Sequence, residues 1–151
     1  MRTNRTRTIL YYLALSAGAA GVLATGADHL YEYTANQFST VSTIGTLFLL
    51  NFIAATVVGV GLLLPLRRIA KRLGDPLRAL LALSGIGLAG TSLIGLWISE
   101  TSSLFGFTDY GFRSTIVVAI VAESVAIVAL TFYLALANIR LARPLAHLPT
   151  H

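Results

Sequence analysis

The sequence predicts an all-α fold in which four helices cross a membrane as a bundle. Of the 151 residues, 56% are hydrophobic and 11% are charged, whereas about 25% of the residues of a typical soluble domain are charged. The apolar residues form four runs, each close to the length of about 20 residues that a helix needs to cross the hydrocarbon. Basic residues gather in alternate connections between these runs. We therefore expect a single transmembrane domain over residues 1–151.

The four predicted helices cover residues 9–27, 43–66, 77–98 and 115–137. The first run follows a basic start, as in a signal peptide, but it exceeds the roughly 7 to 15 apolar residues of such a segment, so we expect it to be retained. Before the third run, Gly74, Asp75 and Pro76 predict a helix end, an N-cap and a first helical position, respectively. We expect residues 1–8 and 139–151 to be flexible cytoplasmic ends.

The charged residues predict the orientation. Ten of the eleven Lys and Arg residues precede the first run, separate the second from the third, or follow the fourth: Arg2, Arg5, Arg7, Arg67, Arg68, Lys71, Arg72, Arg78, Arg140 and Arg143. The other two connections hold Asp28, Glu32, Glu100 and Asp109, with Arg113 as their single basic residue. Because Lys and Arg accumulate in cytoplasmic loops, both termini should be cytoplasmic. We assign the basic cluster Arg67, Arg68, Lys71, Arg72 and Arg78 to topology and lipid headgroup contact, and expect no nucleic-acid partner.

The two halves of the chain resemble each other. The sequence Leu-Ala-Leu-Ser at 13–16 recurs at 81–84, and the same offset aligns Glu32 with Glu100. A slightly longer offset aligns Asn51 with Glu123. This internal repeat predicts two tandem helical hairpins, a 2+2 parallel repeat about an axis along the membrane normal.

Small residues recur at helical spacing in all four runs, as lipid-embedded helices need for close packing. The stripes are Ala17, Gly18 and Gly21; Asn51, Ala55 and Gly59; Gly87, Thr91 and Gly95; and Ala119, Ala122, Ala126 and Ala129. We interpret them as the contacts of a tight bundle in preference to a substrate groove or pore.

Glu123 is the most informative single residue. It lies nine positions after Ser114, or about 13 Å along a helix that rises about 1.5 Å per residue, which is near the bilayer midplane. A charge at that depth costs about 2.5 to 3.5 kcal/mol, so the side chain should face the bundle interior. Asn51 is expected at the same depth and can both donate and accept hydrogen bonds. We predict a buried polar pair that fixes the packing of the helices, with a proton or cation site as the alternative.

A second polar group is expected at the opposite end of the bundle from the basic cluster. His29 and Glu32 share a helix face, and Asp28, Glu100 and Asp109 lie on the same side of the membrane. One histidine with several carboxylates is a candidate divalent metal site, although an ion-paired, solvated cap explains the same residues. The chain has no cysteine, so thiolate metal sites, iron–sulfur clusters and thiol catalysis are excluded. We expect no cofactor and, without a nucleophile beside a base, no enzymatic activity.

Three segments carry a resemblance to known sequences: Asp-His-Leu-Tyr-Glu-Tyr at 28–33, Ile-Gly-Thr-Leu-Phe at 44–48 and Leu-Phe-Gly-Phe at 104–107. With the Arg-rich start and four runs, the chain resembles the uncharacterised small four-helix integral membrane proteins of actinobacteria. The resemblance implies a bacterial plasma membrane and no particular activity. Two hypotheses follow from the residues: a non-enzymatic accessory or scaffold subunit, in a homo-oligomer or with another membrane subunit, and a small proton- or cation-coupled transporter that uses Glu123 and Asn51.

Overall fold

The computed structural model describes residues 2–105 and 114–142. Its α-helices are α1 (Arg2–Thr34), α2 (Ser42–Leu63), α3 (Leu66–Ile69), α4 (Gly74–Thr101) and α5 (Ser114–Ala142), with single 3₁₀ turns at Phe38–Thr40 and Lys71–Leu73. Four of them, α1, α2, α4 and α5, are long and apolar enough to cross a membrane. The predicted all-α class with four candidate spans is confirmed, and the chain is compatible with an integral membrane protein.

Most of the long helices extend beyond their predicted ends. α1 begins at Arg2 and ends at Thr34, whereas the apolar run suggested 9–27. α5 ends at Ala142, so the predicted flexible ends are helical as far as the structure describes them, and residues 143–151 lie outside the described part. The apolar pattern marks the segment that matches the hydrocarbon, whereas backbone hydrogen bonding can continue through polar residues on either side. The helices are therefore longer than the apolar runs that they contain.

The connection between α2 and α4 is tighter than predicted. α4 begins at Gly74, which has helical dihedral angles, and Leu73 occupies the N-cap position without a capping side chain. Asp75 is therefore not the N-cap; its Oδ1 accepts a hydrogen bond from Arg67 Nε at 2.6 Å. Glycine is needed at 74 because a Cβ atom there would lie 2.7 Å from the Arg67 Cα. The predicted helix start was wrong because the turn depends on the close approach of Gly74 to Arg67, and no local sequence pattern indicates that approach.

The four long helices form an up-down-up-down bundle in which α1 is the most enclosed element. α1 packs extensively against α2 and α5, whereas α4 packs less extensively against the same two helices and has few contacts with α1. Glycines allow the closest approaches: a Cβ atom on Gly21 would lie 2.8 Å from the Ala126 nitrogen, and one on Gly26 would lie 2.9 Å from the Ala55 Cβ. The predicted close packing is confirmed for α1 with α2 and α5.

The small-residue stripe of α4 does not make the predicted contacts. A Cβ atom on Gly87 or Gly90 would meet no heavy atom within 4 Å. Gly87 and Thr91 are exposed on the surface of the bundle. The prediction of a uniformly tight bundle was wrong at this helix, because α4 directs other residues, among them Ala82, Gly85 and Ala89, toward its neighbours.

The two ends of the bundle differ in packing. We call the end that holds the α2–α4 connection the basic end, and the end at which α1 and α4 finish, with Asp28, Glu32 and Glu100, the acidic end. Near the basic end, Tyr11 and Tyr133 are buried with ring centroids 4.9 Å apart and their hydroxyl oxygens 3.2 Å apart. Leu62 and Leu130 are fully buried in the same core cluster. The apolar core therefore closes the basic end, and space remains toward the acidic end.

Candidate functional site

A cavity of about 420 Å³ lies between α1, α2, α4 and α5 toward the acidic end. Its wall is mostly apolar but includes a set of polar side chains from all four helices: Asp28, His29, Glu32, Asn51, Ser92 and Glu123. A cavity of this size is in the range of ligand sites, which are about 300 to 1,000 Å³ and combine apolar walls with a few polar groups. The structure thus brings residues from both predicted polar groups to one space.

Glu123 lies in this wall on α5. Its side chain is only 1% exposed, as its predicted depth required. Thr115, Ala119 and Glu123 follow one another at intervals of four, so they share the helix face that lines the cavity. Neither carboxyl oxygen of Glu123 has a hydrogen-bond partner among the described residues. A buried carboxyl group without a partner is costly, since burial removes its contacts with water.

The hydrogen bond predicted between Glu123 and Asn51 is not formed. Asn51 lines the same cavity from α2, but its Oδ1 also has no partner in the described part of the chain. The reason is the helix order, because α2 and α5 lie on a diagonal of the bundle and do not pack extensively on each other. The two side chains therefore line the same cavity without forming the predicted hydrogen bond.

His29 links α1 to α4 across the cavity wall. Its ring is buried, with Nδ1 2.8 Å from the Thr25 carbonyl oxygen and Nε2 3.1 Å from the Ser92 hydroxyl oxygen. Because a carbonyl can only accept, Nδ1 carries the hydrogen and donates it, and in the neutral ring Nε2 accepts from Ser92. The Phe48 ring packs edge-on against His29, with centroids 5.2 Å apart. The imidazole is thus held in one orientation by contacts from three helices.

Ser92 lies beside both His29 and Glu123, and the sequence did not indicate it. Its hydroxyl is in hydrogen-bond contact with His29 and comes close to the Glu123 carboxyl group, but without the geometry of a hydrogen bond to it. A single serine in an apolar helix gives no signal of such a role. Its spacing of seven residues from Ser99, which also lines the cavity, is the pattern that marks a shared face.

The predicted metal cluster is only partly assembled. Glu32 is buried in the cavity wall, and its Oε2 accepts a hydrogen bond from Asn36 Nδ2 at 2.9 Å. Glu100 lies outside that wall, and Asp109 lies outside the described residues. Across residues 2–105 and 114–142, no three His, Asp or Glu side chains come close enough to hold a metal ion. The metal site stays a prediction, and what the described residues form is an acidic cavity.

The charge of the cavity has one sign. Asp28, Glu32 and Glu123 line it, whereas none of the described Lys or Arg side chains does. Nearby cations would be attracted, because carboxylates in a low-dielectric wall act over short distances with little screening. The chemistry available in this space is therefore the binding of a proton, a cation or a hydrogen-bond donor.

The basic cluster at the other end has two kinds of residue. Arg68, Lys71 and Arg72 are exposed, as headgroup contact requires. Arg67 is also exposed, and its hydrogen bond to Asp75 raises the pKa of its guanidinium group, which stays protonated in any case. Arg78 is buried, and its Nη2 donates to the Leu64 carbonyl oxygen at 2.8 Å. Arg78 therefore joins α4 to the end of α2.

Comparison of the chain with protein-family models, with curated proteins and with solved structures finds no match in any of the three.

Proposed function

We propose that the protein is a small proton- or cation-coupled transporter in which Glu123 is the binding group. The observation that carries the proposal is the buried Glu123 carboxyl group, which faces a 420 Å³ cavity and has no hydrogen-bond partner of good geometry among the described residues. A carboxyl group placed only to fix helix packing would be expected to have a hydrogen-bond partner across the bundle. Intramembrane carboxylates commonly mark ion or proton pathways.

The packing difference between the two ends supports this proposal. The basic end is closed by the core around Tyr11, Leu62, Leu130 and Tyr133, whereas the cavity occupies the half toward the acidic end. With the positive-inside rule, the acidic end faces outward and the termini are cytoplasmic, in a bacterial plasma membrane. In this orientation the cavity lies in the outer half of the membrane, and α4, the least tightly packed of the long helices, is the element whose movement would open the bundle toward the other side.

The test is cation–proton exchange in proteoliposomes that contain a pH-sensitive dye. A gradient of sodium, potassium or tetraethylammonium is imposed, and the change in internal pH is measured. Wild-type protein should exchange protons for at least one of these cations, and Glu123→Gln should lower the rate by about tenfold or more, because the titrating carboxyl group is removed.

Glu100→Gln is the matched control, since it makes the same acid-to-amide change in the same half of the bundle but outside the cavity wall. Its exchange rate should equal that of the wild type. Exchange that is unchanged in Glu123→Gln, or absent from the wild type for every cation of the panel, would contradict the proposed function.

A second candidate is a non-enzymatic accessory or scaffold subunit, which one observation favours. The exposed face of α4 carries Ser84, Gly87 and Thr91, with open space above Gly87, and small-residue faces let lipid-embedded helices approach closely. Under this hypothesis, a second copy or another membrane subunit co-purifies in mild detergent, and native mass spectrometry shows its loss in Gly87→Leu. A monomeric wild-type protein without co-purifying subunits would count against it.

A further inference from the structure

We propose that the cavity binds an organic cation with apolar substituents, which enters from the lipid between α2 and α4. This inference rests on the proposed function for the role of Glu123 and adds the chemical class of the ligand and its route. The argument uses the position of the opening, the arrangement of polar and apolar wall residues, and the charge of the cavity.

The opening is located by residues that line the cavity and also face the outside of the bundle. On α2, Leu47 and Leu50 line the cavity and are 43% and 56% exposed. On α4, Thr91 lines the cavity and is exposed. The cavity residues of α1 and α5, in contrast, include the buried His29 and Glu123. We define Leu47, Leu50 and Thr91 as the rim, which lies between α2 and α4.

Weak packing leaves this side of the bundle open. α2 and α4 contact each other less extensively than α2 and α1 do. α4 also has open space next to Gly87 and Gly90, which lie four and one residues before Thr91, respectively. Because four spans place this part of the surface against acyl chains, the rim opens into hydrocarbon and not into bulk water. A ligand that uses this route must tolerate an apolar environment.

The acidic residues of the wall lie on α1 and α5, opposite the rim. α2 and α4 contribute apolar residues, among them Leu47, Leu50, Leu88 and Leu96, and uncharged polar residues. Glu123 on α5 and His29 on α1 form the far wall, because those two helices pack tightly behind the cavity. A ligand with one charged or donor group and an apolar body matches this order, with its polar group directed toward Glu123.

The acidic residues of the cavity wall favour a cation, and the apolar and aromatic residues of the same wall favour an organic one. Asp28, Glu32 and Glu123 line the cavity, and no described Lys or Arg does, so an anion would be repelled. An organic ammonium or phosphonium ion is weakly hydrated and is stabilised by a counter-charge together with apolar and aromatic surroundings. The rings of Phe38 and Phe48, which contact each other edge-to-face with centroids 5.1 Å apart, both line the cavity.

The first experiment measures binding of tetraphenylphosphonium by equilibrium dialysis with the purified full-length protein in lipid nanodiscs. Tetraphenylborate is the matched probe, because it has nearly the same shape and the opposite charge. After the amount of each ion taken up by protein-free nanodiscs is subtracted, we expect saturable binding of the phosphonium ion and none of the borate. Glu123→Gln should weaken phosphonium binding by about tenfold or more, since a buried counter-charge is lost. Glu100→Gln should bind as the wild type does.

The second experiment tests the route. Leu50→Trp narrows the rim, whereas Ile53→Trp places the same bulk on an exposed position of α2 that does not line the cavity. Stopped-flow association of the phosphonium ion should slow by about tenfold in Leu50→Trp, because entry is obstructed, and should be unchanged in Ile53→Trp. Equal rates in the two variants would overturn lateral entry at this rim.

The outcomes separate the ligand class from the proposed function. If the wild type exchanges sodium or potassium for protons in a Glu123-dependent way but shows no saturable phosphonium binding, the ligand class is wrong and the proposed function stands. If Glu123→Gln retains both exchange and binding, both are wrong. The comparison of phosphonium with borate on the wild type needs no variant, so equal binding of the two ions overturns the inference even if Glu123→Gln fails to fold.

Discussion

Gly21 and Gly87 show how differently two glycines of one bundle are used. On α1, Gly21 is buried against α5, and a Cβ atom there would lie 2.8 Å from the Ala126 nitrogen and 2.9 Å from the Ala122 carbonyl oxygen. On α4, a Cβ atom at Gly87 would meet nothing within 4 Å. Both glycines belong to small-residue stripes in the sequence, and the stripe alone does not distinguish them.

This contrast predicts opposite effects of one substitution. Gly21→Ala should lower the free energy of unfolding by about 1 to 3 kcal/mol, because the added methyl group forces α1 away from α5. Gly87→Ala should leave stability unchanged or raise it by up to about 1 kcal/mol, because alanine favours the helix and has room. Thermal unfolding in detergent, followed by circular dichroism, measures both. A Gly21→Ala protein as stable as the wild type would show that α1 and α5 are not in this close contact.

For the polar residues, the sequence predicted their depth along the apolar runs more accurately than their side-chain contacts. The position of Glu123 along its apolar run predicted its burial, and the structure confirms that burial. The predicted bond to Asn51 was wrong, because equal depth does not say whether two helices are neighbours or diagonal. Ser92 was missed for a related reason: its place beside His29 depends on the rotation of α4, which hydrophobicity alone does not define in a helix that is apolar on most sides.

At the scale of the elements, Arg78 shows that a basic residue counted as part of a topology signal can be structural, since it lies in α4 about one turn after the helix begins. It is 8% exposed, and its guanidinium group donates to the Leu64 carbonyl oxygen at the end of α2. A cation at a helix C-terminus also interacts favourably with the partial negative charge of the last carbonyl groups. Counting it with the exposed Arg68 as part of one topology signal was reasonable from sequence, since no local pattern shows the fold of the loop.

Replacing these two arginines therefore has different expected effects. Arg78→Met should lower the free energy of unfolding by about 1 to 3 kcal/mol, through the lost hydrogen bond to a charged donor. Arg68→Met should change it by about 0.5 kcal/mol or less, because the side chain is exposed. Chemical unfolding in detergent measures both under the same conditions. If the two variants are equally stable, Arg78 does not hold α2 and α4 together.

The internal repeat concerns whole elements and stays a prediction. Ala14 and Ala82, which the alignment pairs, are both buried, but Leu15 is buried while Leu83 is 57% exposed. Both α1 and its counterpart α4 border the cavity, but α1 packs extensively against its two neighbours and α4 packs less extensively against the same two helices. If the two halves share an origin, the corresponding helices now bury different faces. The connection between α4 and α5 is also longer than the one between α1 and α2.

At the scale of the molecule, the bundle combines a packed half with a hollow half. The sequence predicted four spans because composition and run length follow directly from the thickness of a bilayer. It did not predict the cavity, since the cavity depends on how the four helices are rotated and spaced, which composition and run length do not define. Which half faces the cytoplasm decides whether the cavity is open to the outer or the inner leaflet, so orientation is the property on which a transport cycle depends.

The orientation can be tested because the natural chain has no cysteine, so every introduced thiol is unique. Thr40, in the connection between α1 and α2, and Arg72, in the connection between α2 and α4, are both exposed and lie at opposite ends of the bundle. The positive-inside rule places Arg72 in the cytoplasm and Thr40 outside. In intact bacterial cells, a membrane-impermeant maleimide should therefore label Thr40→Cys, and it should label Arg72→Cys only after the membrane is permeabilised. Labelling of Arg72→Cys in intact cells would reverse the orientation, and the cavity would then open toward the cytoplasmic leaflet.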